Sequence, residues 1–211
     1  MLVASRVSKI VSSVTLLRSV DVTAQPGRCV VLRGANGSGK TTLLRLLAGM
    51  SEPSTGTVQL DGRRVDERDP AVRAAVAALL GASATYRDLT LRDHLTLVDA
   101  TWGRDPDDCE ERVLACLDQF RIRHLDRRFP HELSSGQTQL FRLACAFFRP
   151  AGTLLLDEPE QRLDQQMRQL VADLVTARCR AGTTVVMACH DPDVIAAAAD
   201  TVVDLHAADP A

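Results

Sequence analysis

The stretch from residue 29 to residue 48 constrains the fold more than any other part of the sequence. An apolar run of strand length at residues 29–33 leads into a glycine-rich turn, and residues 43–48 continue with helical character. The turn carries the sequence Gly-x4-Gly-Lys-Thr, which begins at Gly34 and satisfies the phosphate-loop (P-loop) pattern. A strand, a P-loop and a helix in this order predict an α/β core that binds phosphate groups.

Each residue type in this turn has a physical reason to be there. Glycines allow backbone angles forbidden to other residues and leave room for phosphate oxygens against the main chain. The N–H groups of the loop and the positive end of the following helix attract anions. Lys40, one of only two lysines in the chain, would contact the β- and γ-phosphates, and the Thr41 hydroxyl would hold Mg²⁺. The nucleotide-binding residues predicted in this stretch are Gly34, Asn36, Gly37, Ser38, Gly39, Lys40, Thr41 and Thr42.

Composition limits the classes of protein to which the chain can belong. Its 211 residues suffice for one or two domains with a substantial core. The formal net charge of −2 gives no electrostatic case for a nucleic-acid binder. The amino terminus lacks a signal-peptide core, and no run of about 18 apolar residues could span a bilayer. We therefore expect a cytoplasmic protein, with reduced cysteines and with any membrane-spanning partner on another chain.

Strands and turns are predicted on both sides of the P-loop stretch. Two strands are expected at residues 2–7 and 14–24, separated by a polar stretch. A hairpin is expected at residues 57–65, with Asp61 and Gly62 in its turn. These elements predict an antiparallel β subdomain that flanks the nucleotide core.

The middle of the chain has a different character. An apolar run at residues 74–80 predicts another core strand, but residues 82–130 are polar, rich in arginine and mostly helical in pattern. Two helices are predicted there, at residues 91–100 and 110–119. We interpret this part as an α-helical subdomain, spanning about residues 82–140, inserted in the nucleotide core.

A second group of motifs lies in the carboxyl-terminal half. The sequence Leu-Ser-Ser-Gly-Gln at residues 133–137 opens an amphipathic helix. A buried-type strand at residues 153–156 delivers Asp157 and Glu158 at its carboxyl end, and a later apolar strand ends at His190. In open α/β sheets, ligands bind at the carboxyl edge of the strands.

In combination, these motifs resemble those of an ABC-type ATPase, the nucleotide-binding subunit of an ABC transporter. The resemblance covers the chain as one ATP-binding domain, residues 1–211. It implies a P-loop NTPase parallel sheet with an antiparallel β subdomain and an inserted helical subdomain, and it implies ATP and Mg²⁺ as cofactors. Thr41 and Asp157 would hold the metal, as in other P-loop enzymes. Glu158 and His190 would be catalytic, the first polarising the attacking water and the second contacting the γ-phosphate.

The Leu-Ser-Ser-Gly-Gln signature indicates a second subunit. A Ser hydroxyl, a Gly N–H and a helix N-terminus form a second anion site, but one chain has only one γ-phosphate to bind. In the family that the chain resembles, the signature of one subunit closes over ATP held by the other, in a homo- or heterodimer. Closing and opening would drive an integral membrane transporter subunit and place the protein at the inner face of the cell membrane. The residues expected to reach ATP in this way are Ser134, Gly136, Gln137 and, through a loosely matching D-loop, Asp164.

Two departures from the family pattern affect the expected activity. Such proteins usually carry an aromatic residue near the N-terminus that stacks on adenine. Here no aromatic residue precedes Tyr86, so Ile10 or Val11 would serve as an apolar substitute. The glutamine expected after the strand near residue 80 is also missing from residues 80–86, which bears on rate and coupling.

Two alternatives to a transport ATPase therefore stay open. One is a soluble ABC ATPase that acts on a protein assembly. DNA-repair versions carry coiled-coil or zinc insertions before the signature, and this chain has neither. The other is a weakly hydrolysing partner in a heterodimer, which the missing glutamine favours and the presence of Glu158 and His190 disfavours.

Overall fold

A parallel sheet forms the centre of the computed structural model, which describes residues 1–81 and 85–207, and an antiparallel sheet packs beside it. The described strands are β1 (Leu2–Val11), β2 (Val14–Ala24), β3 (Cys29–Arg33), β4 (Thr55–Leu60), β5 (Arg63–Arg64), β6 (Val76–Leu79), β7 (Thr153–Asp157), β8 (Thr184–Ala188) and β9 (Thr201–Asp204). The described helices are α1 (Lys40–Leu47), α2 (Pro70–Ala75), α3 (Leu91–Thr101), α4 (Cys109–Gln119), α5 (Ser135–Phe148), α6 (Gln165–Arg180) and α7 (Pro192–Ala198).

The parallel sheet has the strand order β6-β7-β8-β3-β9, and its inner strands β7, β8 and β3 are buried on both faces. Along β3, Val31 packs in one apolar cluster with helices α5 and α6, whereas Val30 and Leu32 pack in the other with helix α1. Burial on both faces explains why these strands read as continuous apolar runs. The pairing places Leu32 beside Ala188 and Ala188 beside Asp157, so three strands end together at one edge.

The antiparallel sheet has the strand order β2-β1-β4-β5. Its β4–β5 hairpin turns at Asp61 and Gly62, both with positive φ, which confirms the predicted turn. The prediction that the first strand stops at residue 7 is wrong, because β1 continues and pairs with β2 as far as Val11. The two-residue turn that joins them is formed by Ser12 and Ser13, with φ of 47° and 68°. Serine rarely adopts these angles, so the residue types at these positions did not predict a turn.

The predicted strand at residues 74–80 is shorter in the structure, because helix α2 occupies its first residues. Asp69 caps this helix by accepting a 2.8 Å hydrogen bond from the Ala71 N–H, and Pro70 stands at its first position. The strand β6 therefore begins only at Val76. An apolar run alone does not distinguish a helix end from a strand start.

The predicted helical region lies between strands β6 and β7 in the sequence. Helices α3 and α4 confirm the two predicted helices to within a residue at each end. Short 3₁₀ segments accompany them, at Pro106–Asp108, Arg123–Leu125 and Pro130–Glu132. The start proposed at residue 82 falls on residues 82–84, outside the described ones, and the end proposed near residue 140 lies inside helix α5. The extent of an inserted subdomain therefore stays a prediction.

Several cysteines belong to the apolar core. All six are free thiols, and burial raises the pKa of Cys116 and of Cys145 to about 12. Cys116 and Cys145 are therefore protonated at neutral pH and pack as small apolar side chains. Among the described residues, no helix is both long and apolar enough to cross a lipid bilayer.

Candidate active site

The P-loop encloses its own lysine. Gly39 has φ of 93°, and a Cβ atom there would lie 2.6 Å from the Leu16 carbonyl oxygen, so only glycine fits. The next residue, Lys40, is 6% exposed, and its Nζ atom donates hydrogen bonds to the carbonyl oxygens of Gly34 (2.8 Å) and Ala35 (3.1 Å). The ammonium group thus lies across the loop at the start of helix α1, where an anion would be bound.

The remaining predicted loop residues occupy different environments. Asn36 and Gly37 form an exposed tip, and a Cβ added at Gly37 would meet open space. Ser38 is buried, and its Oγ atom has no hydrogen-bond partner among the described residues. Thr42 lies in the first turn of helix α1 and lines a neighbouring cavity.

Thr41 and Asp157 meet where strands β3, β7 and β8 end. The Thr41 hydroxyl donates a 2.7 Å hydrogen bond to Asp157 Oδ2, which joins the P-loop to the end of β7. A hydroxyl and a carboxylate provide the hard oxygen ligands that Mg²⁺ prefers, and phosphates and waters usually complete its shell. The donor set therefore fits the predicted metal.

Glu158 has an unusual backbone that neighbouring residues hold in place. Its φ is 51°, a conformation that costs free energy for a residue with a side chain. Its N–H donates to the Ala188 carbonyl oxygen at 2.9 Å, and its own carbonyl oxygen accepts from Gln139 Nε2 at 3.2 Å. These two bonds fix the peptide groups on either side of the carboxylate.

The side chain of Glu158 reaches toward His190. The Oε1 atom lies 3.6 Å from His190 Nε2, and Oε2 accepts a 2.9 Å hydrogen bond from Gln161 Nε2. The structure thus brings the two predicted catalytic side chains together, at the sheet edge that also carries Asp157.

Two acidic residues anchor the backbone around His190. The His190 N–H donates a 2.7 Å hydrogen bond to Glu160 Oε1. Asp191 caps helix α7 by accepting hydrogen bonds from two backbone N–H groups, and Arg168 contacts its other oxygen at 2.8 Å. These N–H groups, together with Arg168, lower the pKa of Asp191, which therefore stays ionised. Sequence reasoning missed Glu160, for which the one available signal was an acid directly after the Asp-Glu-Pro run.

The signature residues contact their own helix. Ser134 caps α5, accepting from the Gln137 N–H (3.3 Å), while Gln137 Oε1 accepts from the Ser134 N–H (2.9 Å). Gly136 lies against the loop after β7, where a Cβ atom would be 3.1 Å from the Arg162 carbonyl oxygen. Asp164 caps helix α6. Among the described residues, no hydrogen bond joins the side chains of Ser134, Gln137 or Asp164 to the P-loop of the same chain.

A cavity of about 520 Å³ adjoins the P-loop through Thr42. Its apolar lining comes from Val11, Leu16 and Met50, and Arg45 adds an exposed guanidinium. A nucleotide base that extended from the phosphates into this cavity would contact Val11. Leu16 was not predicted, because its approach to Val11 depends on the long β1–β2 hairpin.

Comparison with known proteins gives one family. The family model described as "ABC transporter" matches residues 17–161. The sulfate/thiosulfate import ATP-binding protein CysA 2 of Chromobacterium violaceum is 35% identical over 194 residues, which cover 92% of this chain but 52% of that protein. The chain thus spans about half the length of this relative. The cell division ATP-binding protein FtsE of Escherichia coli is 32% identical over 183 residues, covering 85% of this chain and 82% of that protein.

A solved structure shows the same fold. The dimeric structure of a bacterial ABC transporter cassette superposes with a TM-score of 0.88, at 23% identity, over 98% of this chain and 94% of that one. The α/β architecture, with a parallel core sheet and an antiparallel sheet beside it, is that of a P-loop NTPase. The matched family model and the two relatives together establish that the chain belongs to the ABC-type ATPase family of nucleotide-binding subunits.

Proposed function

We propose that this chain binds ATP with Mg²⁺ and hydrolyses it, and that the cycle powers a separate membrane-spanning partner. The proposal rests on two pairs of side chains that lie close together at one edge of the parallel sheet. Thr41 Oγ1 and Asp157 Oδ2 are 2.7 Å apart, and Glu158 Oε1 and His190 Nε2 are 3.6 Å apart. A phosphate site, a metal site and a general base are thereby side by side.

Each group has one task in the proposed reaction. The P-loop amides and Lys40 hold the triphosphate, and Thr41 and Asp157 would hold Mg²⁺. Bound Mg²⁺ supplies charge neutralisation on the phosphate oxygens. Glu158 accepts a hydrogen bond from the attacking water and orients it toward the γ-phosphate, and His190 keeps the carboxylate in position. Positioning and electrostatic stabilisation account for most of the catalysis in phosphoryl transfer.

The signature supports a dimer with composite sites. Ser134 and Gln137 lie at the start of a helix whose N-terminus suits an anion, yet their described contacts do not reach the P-loop of the same chain. A second subunit, identical or related, would supply the γ-phosphate to this surface. The similar cassette structure is dimeric, which supports this arrangement.

The partner is a proposal drawn from the relatives. The Chromobacterium relative is named an import ATP-binding protein, which supports a transporter subunit in the membrane and a position at its inner face. A second candidate is action on a protein assembly. It is favoured by the cell division protein, most of whose length the chain matches.

Purification of the tagged chain from detergent-solubilised membranes tests the proposal. We expect Mg²⁺-dependent phosphate release from ATP and co-purification of an integral membrane transporter subunit. Recovery of a non-transporting protein assembly would favour the second candidate. The absence of any phosphate release above that of a Lys40→Ala control would contradict ATP hydrolysis itself.

A further inference from the structure

Glu160 is a buried acid for which the proposed reaction has no use. It is 7% exposed and lies two residues after Glu158, in the loop that follows strand β7. Its Oε1 atom accepts a 2.7 Å hydrogen bond from the His190 N–H. Its Oε2 atom is buried and has no hydrogen-bond partner among the described residues. Burial first, and the neighbouring Glu160 carboxylate after it, raise the pKa of the Cys189 thiol, so this acid also lies beside a buried thiol. Burial of an acid with one unpaired oxygen carries a free-energy cost, so its bond to the His190 N–H needs an explanation.

That bond joins the two loops that carry the candidate catalytic side chains. Glu158 and Glu160 follow strand β7, and His190 follows strand β8. A second bond, from the Glu158 N–H to the Ala188 carbonyl oxygen, joins the loop after β7 to the end of strand β8 at 2.9 Å. One hydrogen bond thus fixes the Glu158 N–H to the end of β8, and another fixes the His190 N–H to the loop after β7.

The imidazole itself has little other support. The His190 side chain is 41% exposed, so packing holds it only in part. Its distance of 3.6 Å from Glu158 Oε1 is longer than a hydrogen bond. The placement of the ring beside Glu158 consequently depends on where the backbone of His190 is held.

We propose that Glu160 is a positioning residue for ATP hydrolysis: its buried carboxylate fixes the backbone of His190 and so keeps the imidazole beside Glu158. The inference rests on the function proposed above. The competing explanation is that Glu160 only satisfies a buried N–H group and stabilises the fold. The two explanations differ in what happens to turnover when stability is preserved.

Two substitutions separate these explanations. Glu160→Met keeps the volume of the side chain but removes the hydrogen-bond acceptor, and Glu160→Gln keeps an oxygen that can accept from His190. Loss of a buried hydrogen bond corresponds to about tenfold in a rate when it acts on positioning. We expect about tenfold lower kcat for Glu160→Met, with the Kd for ATP within about twofold of wild type. Glu160→Gln should recover kcat to within about threefold.

A double substitution tests whether Glu160 acts through His190. In a His190→Ala background, adding Glu160→Met should reduce the remaining kcat by less than about twofold, because the group to be positioned is gone. A further tenfold loss in that background would overturn the proposal. Thermal unfolding of each variant, measured without nucleotide, corrects kcat for the folded fraction.

Amide hydrogen exchange gives a readout that needs no turnover. The His190 N–H should be protected in the wild-type chain and should exchange faster in Glu160→Met than in Glu160→Gln. An unprotected His190 amide in the wild type would overturn the proposal even if Glu160→Met failed to fold. Full wild-type kcat in folded Glu160→Met would overturn it and leave the proposed function intact, whereas a wild-type chain without ATPase activity would overturn both.

Discussion

The Nε2 atom of Gln139 donates a 3.2 Å hydrogen bond to the carbonyl oxygen of Glu158. The same amide also donates to the Pro159 carbonyl oxygen at 3.2 Å. Gln139 belongs to helix α5, whose first turn carries the signature. The helix proposed to contact the partner's ATP is therefore bonded to the backbone that holds Glu158 in its own site.

We expect Gln139→Leu to lower both stability and turnover. The substitution removes the described partner of the buried Pro159 carbonyl oxygen, which typically costs about 1–3 kcal/mol, whereas the Glu158 carbonyl oxygen still accepts from the Gln161 N–H at 3.1 Å. It also removes one of the hydrogen bonds to the main chain of Glu158, which has positive φ, so kcat should fall more than the folded fraction does. Urea denaturation measures the first effect and phosphate release the second. Gln169→Leu, at an exposed position of helix α6, is the matched control and should change stability by less than about 0.5 kcal/mol.

Glu158→Gln should leave ATP binding intact and lower turnover by about a hundredfold or more, because a general base contributes at least that much. Unhydrolysed ATP would continue to bridge the two subunits, so light scattering should detect a stable dimer with ATP and Mg²⁺. Glu111→Gln, an exposed acid on helix α4, is the control. Hydrolysis at the wild-type rate by Glu158→Gln would exclude Glu158 as the base.

Mixed dimers test the composite site. Lys40→Ala should bind ATP at least about tenfold more weakly, since it removes a charge from the phosphate site. Ser134→Arg should bind ATP as a monomer but block closure over the partner. A dimer of one Lys40→Ala chain and one Ser134→Arg chain retains one composite site built from two intact halves. Partial recovery of ATPase activity on mixing is expected, and no recovery would argue against sites shared between chains.

Motifs that are contiguous in the sequence were the predictable part of the site. Asp157 and Glu158 sit at the end of an apolar strand, and a parallel sheet necessarily brings such ends to one edge. Glu160 and Gln139 were not predictable in the same way. Each contacts its partner across a loop or from a neighbouring helix, and nothing in the local residue pattern specifies that contact.

The fold was predictable where turns had a sequence signal. The turn at Asp61 and Gly62 was predicted correctly. The turn at Ser12 and Ser13 was not predicted, because serine is uncommon at positive φ. The helix that replaced the start of the predicted strand at residue 74 follows from the Asp69 cap. A capping residue directly in front of an apolar run indicates that the run begins as a helix rather than as a strand.

A buried ion cluster between helices α3 and α4 should make stability depend on acid. Asp99 is 2% exposed and accepts hydrogen bonds from Arg112 and Arg104. The Arg112 hydrogen bond, above all, lowers the pKa of Asp99 below its ordinary value. The unfolded chain therefore takes up this proton at higher pH than the folded one. Stability contributed by Asp99 is present above about pH 4 and is lost as the pH falls below that value.

Asp99→Asn tests this contribution. It should reduce the free energy of unfolding by about 2–3 kcal/mol at neutral pH and flatten its dependence on pH below about 4. The matched control is Asp118→Asn, which removes an exposed pair with Arg123 and should cost less than about 1 kcal/mol. Equal losses for the two variants would show that burial of the Asp99 cluster contributes nothing.

We expect the protein to discriminate only weakly between nucleotide bases. The apolar part of the lining of the cavity beside the P-loop comes from Val11, Leu16 and Met50, and no aromatic ring is among its described lining residues. The polar part comes from Lys9, Thr42, Arg45, Ser51 and Glu67. Stacking on an aromatic side chain is worth roughly 1–3 kcal/mol per base, and aliphatic contact recovers part of that through buried area. Affinity should therefore come mainly from the triphosphate, and GTP should compete with ATP within about tenfold.

Val11→Tyr should tighten ATP binding, by up to about tenfold if the ring lies flat on the base. Val14→Tyr is the control, because Val14 is 54% exposed on the same hairpin and does not line the cavity. Competition of each nucleotide against a fluorescent ATP analogue measures both effects. If the wild type bound GTP much more than tenfold more weakly than ATP, a polar group would be recognising the base. Arg45 would then be the first residue to replace, because its guanidinium lines the same cavity. The roles proposed for Lys40 at the phosphates and for Thr41 at Mg²⁺ would be unaffected by that result, because they do not depend on the base.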